Sequence, residues 1–172
     1  MRNPQRRSGK FIDGVHHIDF PVYYEDTDAG GVVYYANYLR FAERGRTEAL
    51  QLAGIDHVEL MEKYGIWFVA RRCVIDYLKP GRLDDLLVVR TSIREMRNTS
   101  LLMRQEIGKY VYSTAQNGEA AEENTPPRIE DIAVIDAFMV CVNTAVKPNK
   151  IPEPVREAML AHLPVHNTTT TR

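Results

Sequence analysis

The run NYLRFAERGRTEALQLA, Asn37 to Ala53, is the longest helical pattern in this 172-residue chain, and its composition decides the fold. At about 100° per residue, Tyr38, Phe41, Ala42, Gly45, Ala49, Leu52 and Ala53 share one broad face. The smallest of them lie at its centre. A glycine inside a helix costs about 1 kcal/mol relative to alanine, so Gly45 between Ala42 and Ala49 predicts that another backbone, that of a sheet, comes close there. Asn37 reads as the N-cap and Gly54 as the C-terminal stop.

On either side of the helix the pattern changes to period two. His17 to Tyr24 alternates, with Ile18, Phe20, Val22 and Tyr24 on one side, and Pro21 belongs at an edge or at a position that donates no ladder bond. Downstream, strands are expected over Ile66–Leu78, Leu86–Met96, Ser100–Tyr112 and Ile132–Asn143. KPGRLDD supplies turn chemistry between the first two and RNTS a tight hairpin between the next two, which reads as long neighbouring antiparallel strands. Ile132 to Val142 is apolar on both faces except for Asp136, as in a strand covered by the helix on one side and by something else, such as a second subunit, on the other. PEPVREAMLAHL reads as a short helix. Strand, long helix, then four strands make an α+β domain, one antiparallel sheet wrapped around one long central helix. That single domain is expected over residues 15–164, with a flexible basic tail at 1–14, an acidic hairpin insertion at 113–131 and a flexible tail at 165–172.

Hydrophobic residues make up 44% of the chain and charged residues 26%, which excludes a disordered or membrane-spanning class. The formal charge of -1 gives no general attraction to nucleic acid or to anionic membranes, so a polyanion site must be local. Cys73 and Cys141 fall inside strand patterns and read as reduced, buried thiols. No apolar run of signal-peptide or bilayer-spanning length appears, and a cytoplasmic protein without stable membrane insertion is expected.

Conventional catalytic sets are scarce. There is no G-x-S-x-G, C-x-x-C, H-E-x-x-H or phosphate-loop pattern. His16 and His17 are adjacent and point to opposite faces of a strand, so no metal site is expected. What remains is YYEDTDAGGVVYYANY, Tyr23 to Tyr38, which runs into the helix. Its glycines allow positive φ and close approach by a ligand. The first N–H groups of the helix lack intrahelical partners and suit a developing oxyanion. A neighbouring carboxylate would supply a base or a nucleophile. The same residues also fit ordinary capping and turn chemistry.

The stretch YYEDTDAGGVVYYANYLRFAERGRTE, with KPGRLDDLL and MRNTSLLMRQ, resembles the hydroxybenzoyl-CoA thioesterase family of hotdog-fold proteins, and most of all its branch of Tol-Pal-associated acyl-CoA thioesterases. The similarity runs from about Ile18 to Asn143 and centres on D-x-D-x-x-G followed by V-x-Y and N-Y. It implies hydrolysis of an acyl-CoA thioester without a cofactor, with Asp28 as the catalytic nucleophile or general base. It also implies that the backbone N–H of Tyr35 faces the thioester oxygen, and that Gly30 and Gly31 let substrate approach. Tyr35 departs from the branch, which commonly has His at this position. Asp26 and Glu25 are expected to shape the loop. Arg97, Thr99 and Ser100, with Arg94, loosely match the family's nucleotide-contacting region. Glu43 is of interest because another hotdog branch takes its carboxylate from the central helix, although an ion pair with Arg46 accounts for it better. The family pairs into homodimers and homotetramers whose sites draw on both subunits, and an acyl carrier protein is a further partner to consider. The alternative reading is a non-catalytic module of an envelope-associated complex that binds an acyl thioester or acyl carrier protein.

Overall fold

The computed structural model describes residues 9–112 and 126–166. The central helix, α1, spans Asn37–Leu52. It closes through Gly54 at φ +87°, where the Gly54 N–H donates to Gln51 O (3.0 Å) and the Ile55 N–H to Leu50 O (2.9 Å). That pair of bonds is how a left-handed glycine satisfies the last carbonyls of a helix. The N-terminus differs from expectation. The cap position is Ala36, with no side-chain cap bond, and Asn37 is already inside the helix.

Among the described residues six strands form one antiparallel sheet: β1 (Lys10–Ile12), β2 (Val15–Pro21), β3 (Ile66–Tyr77), β4 (Leu86–Met96), β5 (Ser100–Val111) and β6 (Arg128–Asn143), in the spatial order β1-β2-β4-β5-β6-β3. The RNTS connection is the expected hairpin, with Met96 opposite Leu101 and the Arg97 N–H on Ser100 O. The expected β3–β4 neighbours are separated, however. Among the described residues β3 pairs only with β6 and lies at the far edge, and β4 sits between β2 and β5. KPGRLDD is therefore a crossover. Its turn is tied to the helix entrance by the Gly81 N–H on the Tyr38 hydroxyl (2.9 Å) and the Val33 N–H on Gly81 O (2.8 Å), which carries the chain away from β3.

Three further boundaries are corrected. Lys10–Ile12, expected in the flexible tail, is a strand paired with Val15–His17. β6 starts at Arg128, so the end of the expected 113–131 insertion belongs to the sheet; residues 113–125 lie outside the described residues. In the expected C-terminal tail, Val165 bridges Ile93. A second helix, α2 (His57–Tyr64), was not anticipated, although Asp56 caps it through Val58 N–H (2.7 Å) and Gly65 ends it at φ +60°. α3 (Glu153–His162) stands where PEPVREAMLAHL predicts it. Among the described residues, no helix is long and apolar enough to cross a membrane.

The helix packs on one face of the sheet. Phe41 and Ala42 meet Leu87, Val89, Ile107 and Ile135 at one end, and Ala49 and Leu50 meet Ile93, Met103 and Met159 at the other. Leu52, expected on the buried face, is only half-buried. The opposite sheet face carries ion pairs, Arg90 with Glu106 (3.5 Å) and Arg104 with Asp136 (3.3 Å). Both cysteines are free; Cys141 is buried, which raises its thiol pKa, and Cys73 is half-buried.

Gly45 is where the sheet comes closest. A Cβ there would stand 2.7 Å from Val89 Cγ1 and 3.2 Å from Gln105 Nε2, both on fully buried side chains. Gly45→Ala gains about 1 kcal/mol of helix propensity and loses about 1–3 kcal/mol to overpacking. The expected result is a net loss, read as a lower Tm in thermal unfolding. A raised Tm would show that the sheet yields at no cost.

Candidate active site

β2 leads into a single 3-10 turn at Tyr24–Asp26. Asp26 is buried, at 4% exposure, and organises everything after it. Its Oδ2 accepts the Tyr23 N–H (2.9 Å), and its carbonyl accepts the Tyr34 N–H (2.8 Å) and the Asn37 side-chain amide (3.0 Å). Asn37 thus reaches back to clamp the acidic loop and leaves its own helix uncapped. The loop-shaping role expected of Asp26 is the one it occupies, and Glu25 adds only its carbonyl, 3.5 Å from the same amide.

The next residues form a small hairpin, with Thr27 bridged to Val33. The Asp28 N–H donates to Val32 O (2.9 Å) and its carbonyl accepts the Gly31 N–H (3.0 Å). Asp28 Oδ1 accepts the Gly30 N–H (2.8 Å), a side-chain turn across one residue. The other carboxylate oxygen has no hydrogen bond among the described residues, and the side chain is exposed. Only Gly31 takes positive φ, at +72°; Gly30 does not, contrary to the expectation for both.

Tyr34 and Tyr35 follow with ring centroids 4.6 Å apart. The Tyr34 phenol is raised above its ordinary value, first by its hydrogen bond to Tyr35 and least by the Asp28 charge, which places that carboxylate within electrostatic reach of the pair. The Tyr35 N–H takes no partner among the described residues, while its carbonyl accepts the Tyr77 hydroxyl (2.9 Å). Beside it lies an open cleft of about 290 Å³ lined by Val33, Tyr35, Tyr38, Tyr77 and Pro80. A free carboxylate oxygen, an unengaged N–H at a helix entrance and an adjoining cleft are the parts that acyl transfer to water needs.

The hairpin residues stand elsewhere. β4 begins next to the acidic loop, where Val22 N–H meets Asp85 O, and ends at Met96, so Arg97, Thr99 and Ser100 lie ~30 Å away along the strand at about 3.3 Å per residue. One chain does not bring them to Asp28. Arg97 pairs with Glu95 (2.5 Å), and with Ser100 it lines a groove of about 320 Å³ that also takes Arg71, Arg72 and Phe138. Thr99 gives its carbonyl to the Cys141 N–H (2.9 Å), and Arg94 turns to His166 O (3.2 Å), away from the hairpin tip.

Glu43 does pair with Arg46 (2.6 Å), and the pair continues inward: Arg46 Nη1 donates to Gln105 Oε1 (2.7 Å), whose Nε2 donates to Ala42 O (2.8 Å) and to Thr91 Oγ1 (3.0 Å). Gln105 and Tyr77 escaped the sequence reading. Gln105 carried one faint signal, a polar residue on the apolar side of β5 between Met103 and Ile107. Among the described residues, no group of three His, Cys, Asp or Glu side chains is placed to hold a metal ion.

Residues 30–109 match the family model of the thioesterase superfamily. The acyl-CoA thioesterase YbgC of Haemophilus influenzae is 47% identical over 92 residues, 52% of this chain and 68% of the relative. The acyl-CoA thioester hydrolase YbgC of Escherichia coli is 50% identical over 86 residues, 50% of this chain and 63% of the relative. Among solved structures, a probable thioesterase from Bartonella henselae superimposes with a TM-score of 0.64 at 29% identity, covering 80% of this chain and 99% of that one. The 4-hydroxybenzoyl-CoA thioesterase of a Pseudomonas strain has a TM-score of 0.70 at 18% identity, covering 84% and 98%, a likeness of fold alone. With a sheet wrapped around one helix and a relative matched over two thirds of its length, this chain belongs to the thioesterase superfamily, as a hotdog-fold member on its acyl-CoA thioester hydrolase branch.

Proposed function

We propose that the protein hydrolyses an acyl-CoA thioester to the free acid and CoA, with Asp28 as the reacting carboxylate and the Tyr35 N–H as the oxyanion donor. The observation that carries this reading is that each group keeps a free end in the short stretch between the acidic loop and the helix entrance. Asp28 keeps one carboxylate oxygen free while the other holds the turn, and the Tyr35 N–H has no partner among the described residues. Asp28 either adds to the thioester carbonyl, expelling thiolate and leaving an anhydride that water cleaves, or takes a proton from water as it adds. In both, negative charge builds on the carbonyl oxygen and a preorganised N–H lowers the barrier. A thiolate leaves without much protonation, so the lack of an acid partner at Tyr35 is tolerable.

We further propose that the enzyme works as a homodimer paired through β3. Twelve residues of β3 form the sheet edge with no second strand among the described residues, and such an edge is a template for strand pairing. Ser100 faces Val140, and Val140 faces Val69, so the β4–β5 hairpin lies near the Ile66 end of β3 and Tyr77 at the other. Antiparallel pairing about a two-fold axis would bring the second subunit's hairpin, with its Arg97, Thr99 and Ser100, toward the Tyr77 end of the first. That reconciles the hairpin's distance from Asp28 with a role in holding CoA.

Thiol release from short, long and aromatic acyl-CoA thioesters, and from acyl carrier protein thioesters, is the direct test, run on wild type and Asp28→Asn. Absence of turnover by wild type across the panel would sink the reading. Sedimentation at micromolar concentration tests the pairing, and a monomer that hydrolyses at full rate would exclude the shared site.

A further inference from the structure

We propose that Tyr77 is a positioning residue for this reaction, its hydroxyl holding the backbone turn that carries the Tyr35 N–H; the inference rests on the hydrolytic reading above. Tyr77 is the last residue of edge strand β3, and its hydroxyl donates to Tyr35 O at 2.9 Å. This is the one hydrogen bond to that carbonyl among the described residues. The flanking residues are held otherwise: Tyr34 N–H on Asp26 O, and Asn37 N–H on Tyr34 O, both 2.8 Å. Tyr35 itself is exposed.

The tie is part of a closed ring. The Tyr77 ring meets Tyr38 edge-on at 5.5 Å, the Tyr38 hydroxyl accepts the Gly81 N–H, and Gly81 O accepts the Val33 N–H two residues before Tyr35. The end of β3, the crossover turn and the helix entrance are thereby joined at the cleft wall. Burial, and then the neighbouring Tyr35 phenol, raise Tyr77 above its ordinary value of 10.0, so it stays a donor at neutral pH. An oxyanion donor is effective only if it needs no reorganisation as charge develops, and here a single neutral hydroxyl restrains the peptide that follows it. Because Tyr77 ends the free edge of the sheet, the same bond makes the geometry at Tyr35 depend on how that edge is held.

Tyr77→Phe keeps the ring and its packing on Tyr38 and removes only the hydroxyl. The expected result is a kcat about 10-fold lower, the loss of one ordinary hydrogen bond expressed in the transition state, with KM within about twofold, consistent with an interaction realised only as the reaction proceeds. Amide exchange of Tyr34 and Asn37, the hydrogen-bonded amides on either side of Tyr35, should quicken, while the remainder of the sheet keeps its protection. An unchanged kcat together with unchanged exchange in an active enzyme overturns the inference and leaves the proposed function standing. A raised KM at constant kcat overturns it too, because the hydroxyl would then bind substrate directly. Wild type without thioesterase activity removes the proposed function and this role together, whatever the exchange shows.

Discussion

Asp28→Asn is expected to lower kcat for acyl-CoA hydrolysis by about 10²–10⁴-fold, the range for losing a positioned base or nucleophile, with little change in KM or Tm. The structure explains why the loss should be confined to chemistry. Asp28 Oδ1 accepts the Gly30 N–H, and an amide oxygen accepts the same bond, so the turn closed by Gly31 is retained. The free second oxygen becomes an NH₂ group, which neither attacks a carbonyl nor takes a proton from water. Asp28→Ala is a poorer test because it removes the Gly30 bond as well. Full turnover by a folded Asp28→Asn across the thioester panel would remove Asp28 from the mechanism, and Asp26, buried with its Oδ2 on the Tyr23 N–H, is poorly placed to take over.

Gln105→Leu is expected to cost about 3 kcal/mol of stability, because groups left buried without a partner cost about 1–3 kcal/mol each. Gln105 is wholly buried on β5 and makes three hydrogen bonds, two to α1 through Arg46 and Ala42 O and one within the sheet to Thr91 on β4. Leucine fits the volume but returns none of them. Arg46 keeps Glu43 and Ala42 O keeps its place in the helical ladder, so the groups left unpaired are Arg46 Nη1 and Thr91 Oγ1. For a chain of this size the change corresponds to a fall in Tm of about 6–12 °C. A shift below about 2 °C would mean that water or a rearranged Arg46 satisfies those groups.

The helix was legible because it is local. Gly45 between Ala42 and Ala49 announced the close sheet, and Val89 Cγ1 stands where a side chain at Gly45 would have to go. The RNTS hairpin was legible for the same reason: four residues decide its geometry. The acidic loop was legible as a tight turn before the helix, and Asp26 as its anchor. The division of labour within Asp28, one oxygen holding the turn and one free, was not.

What the sequence by itself determined is the long helix and the four strands after it, most of the faces they bury, and the junction of acid, glycine and helix entrance on which the proposed site rests. These are written in spacings of one to four residues, and periodicity reports which side of an element is apolar. What only the tertiary structure decided is which elements meet. β3 and β4 carry equally good strand patterns on either side of a turn, yet ties from Gly81 to Tyr38 and Val33 send β3 to the far edge and β4 to the centre. Asn37 looked like a cap and became a clamp, since the acidic loop folds back within its reach. Tyr77 meets Tyr35 across 42 residues, and Gln105 meets Ala42 across 63. No local pattern marks such pairs, because they follow from the packing of whole surfaces, in which many short apolar segments compete and the chain keeps the arrangement that leaves the fewest buried polar groups unpaired.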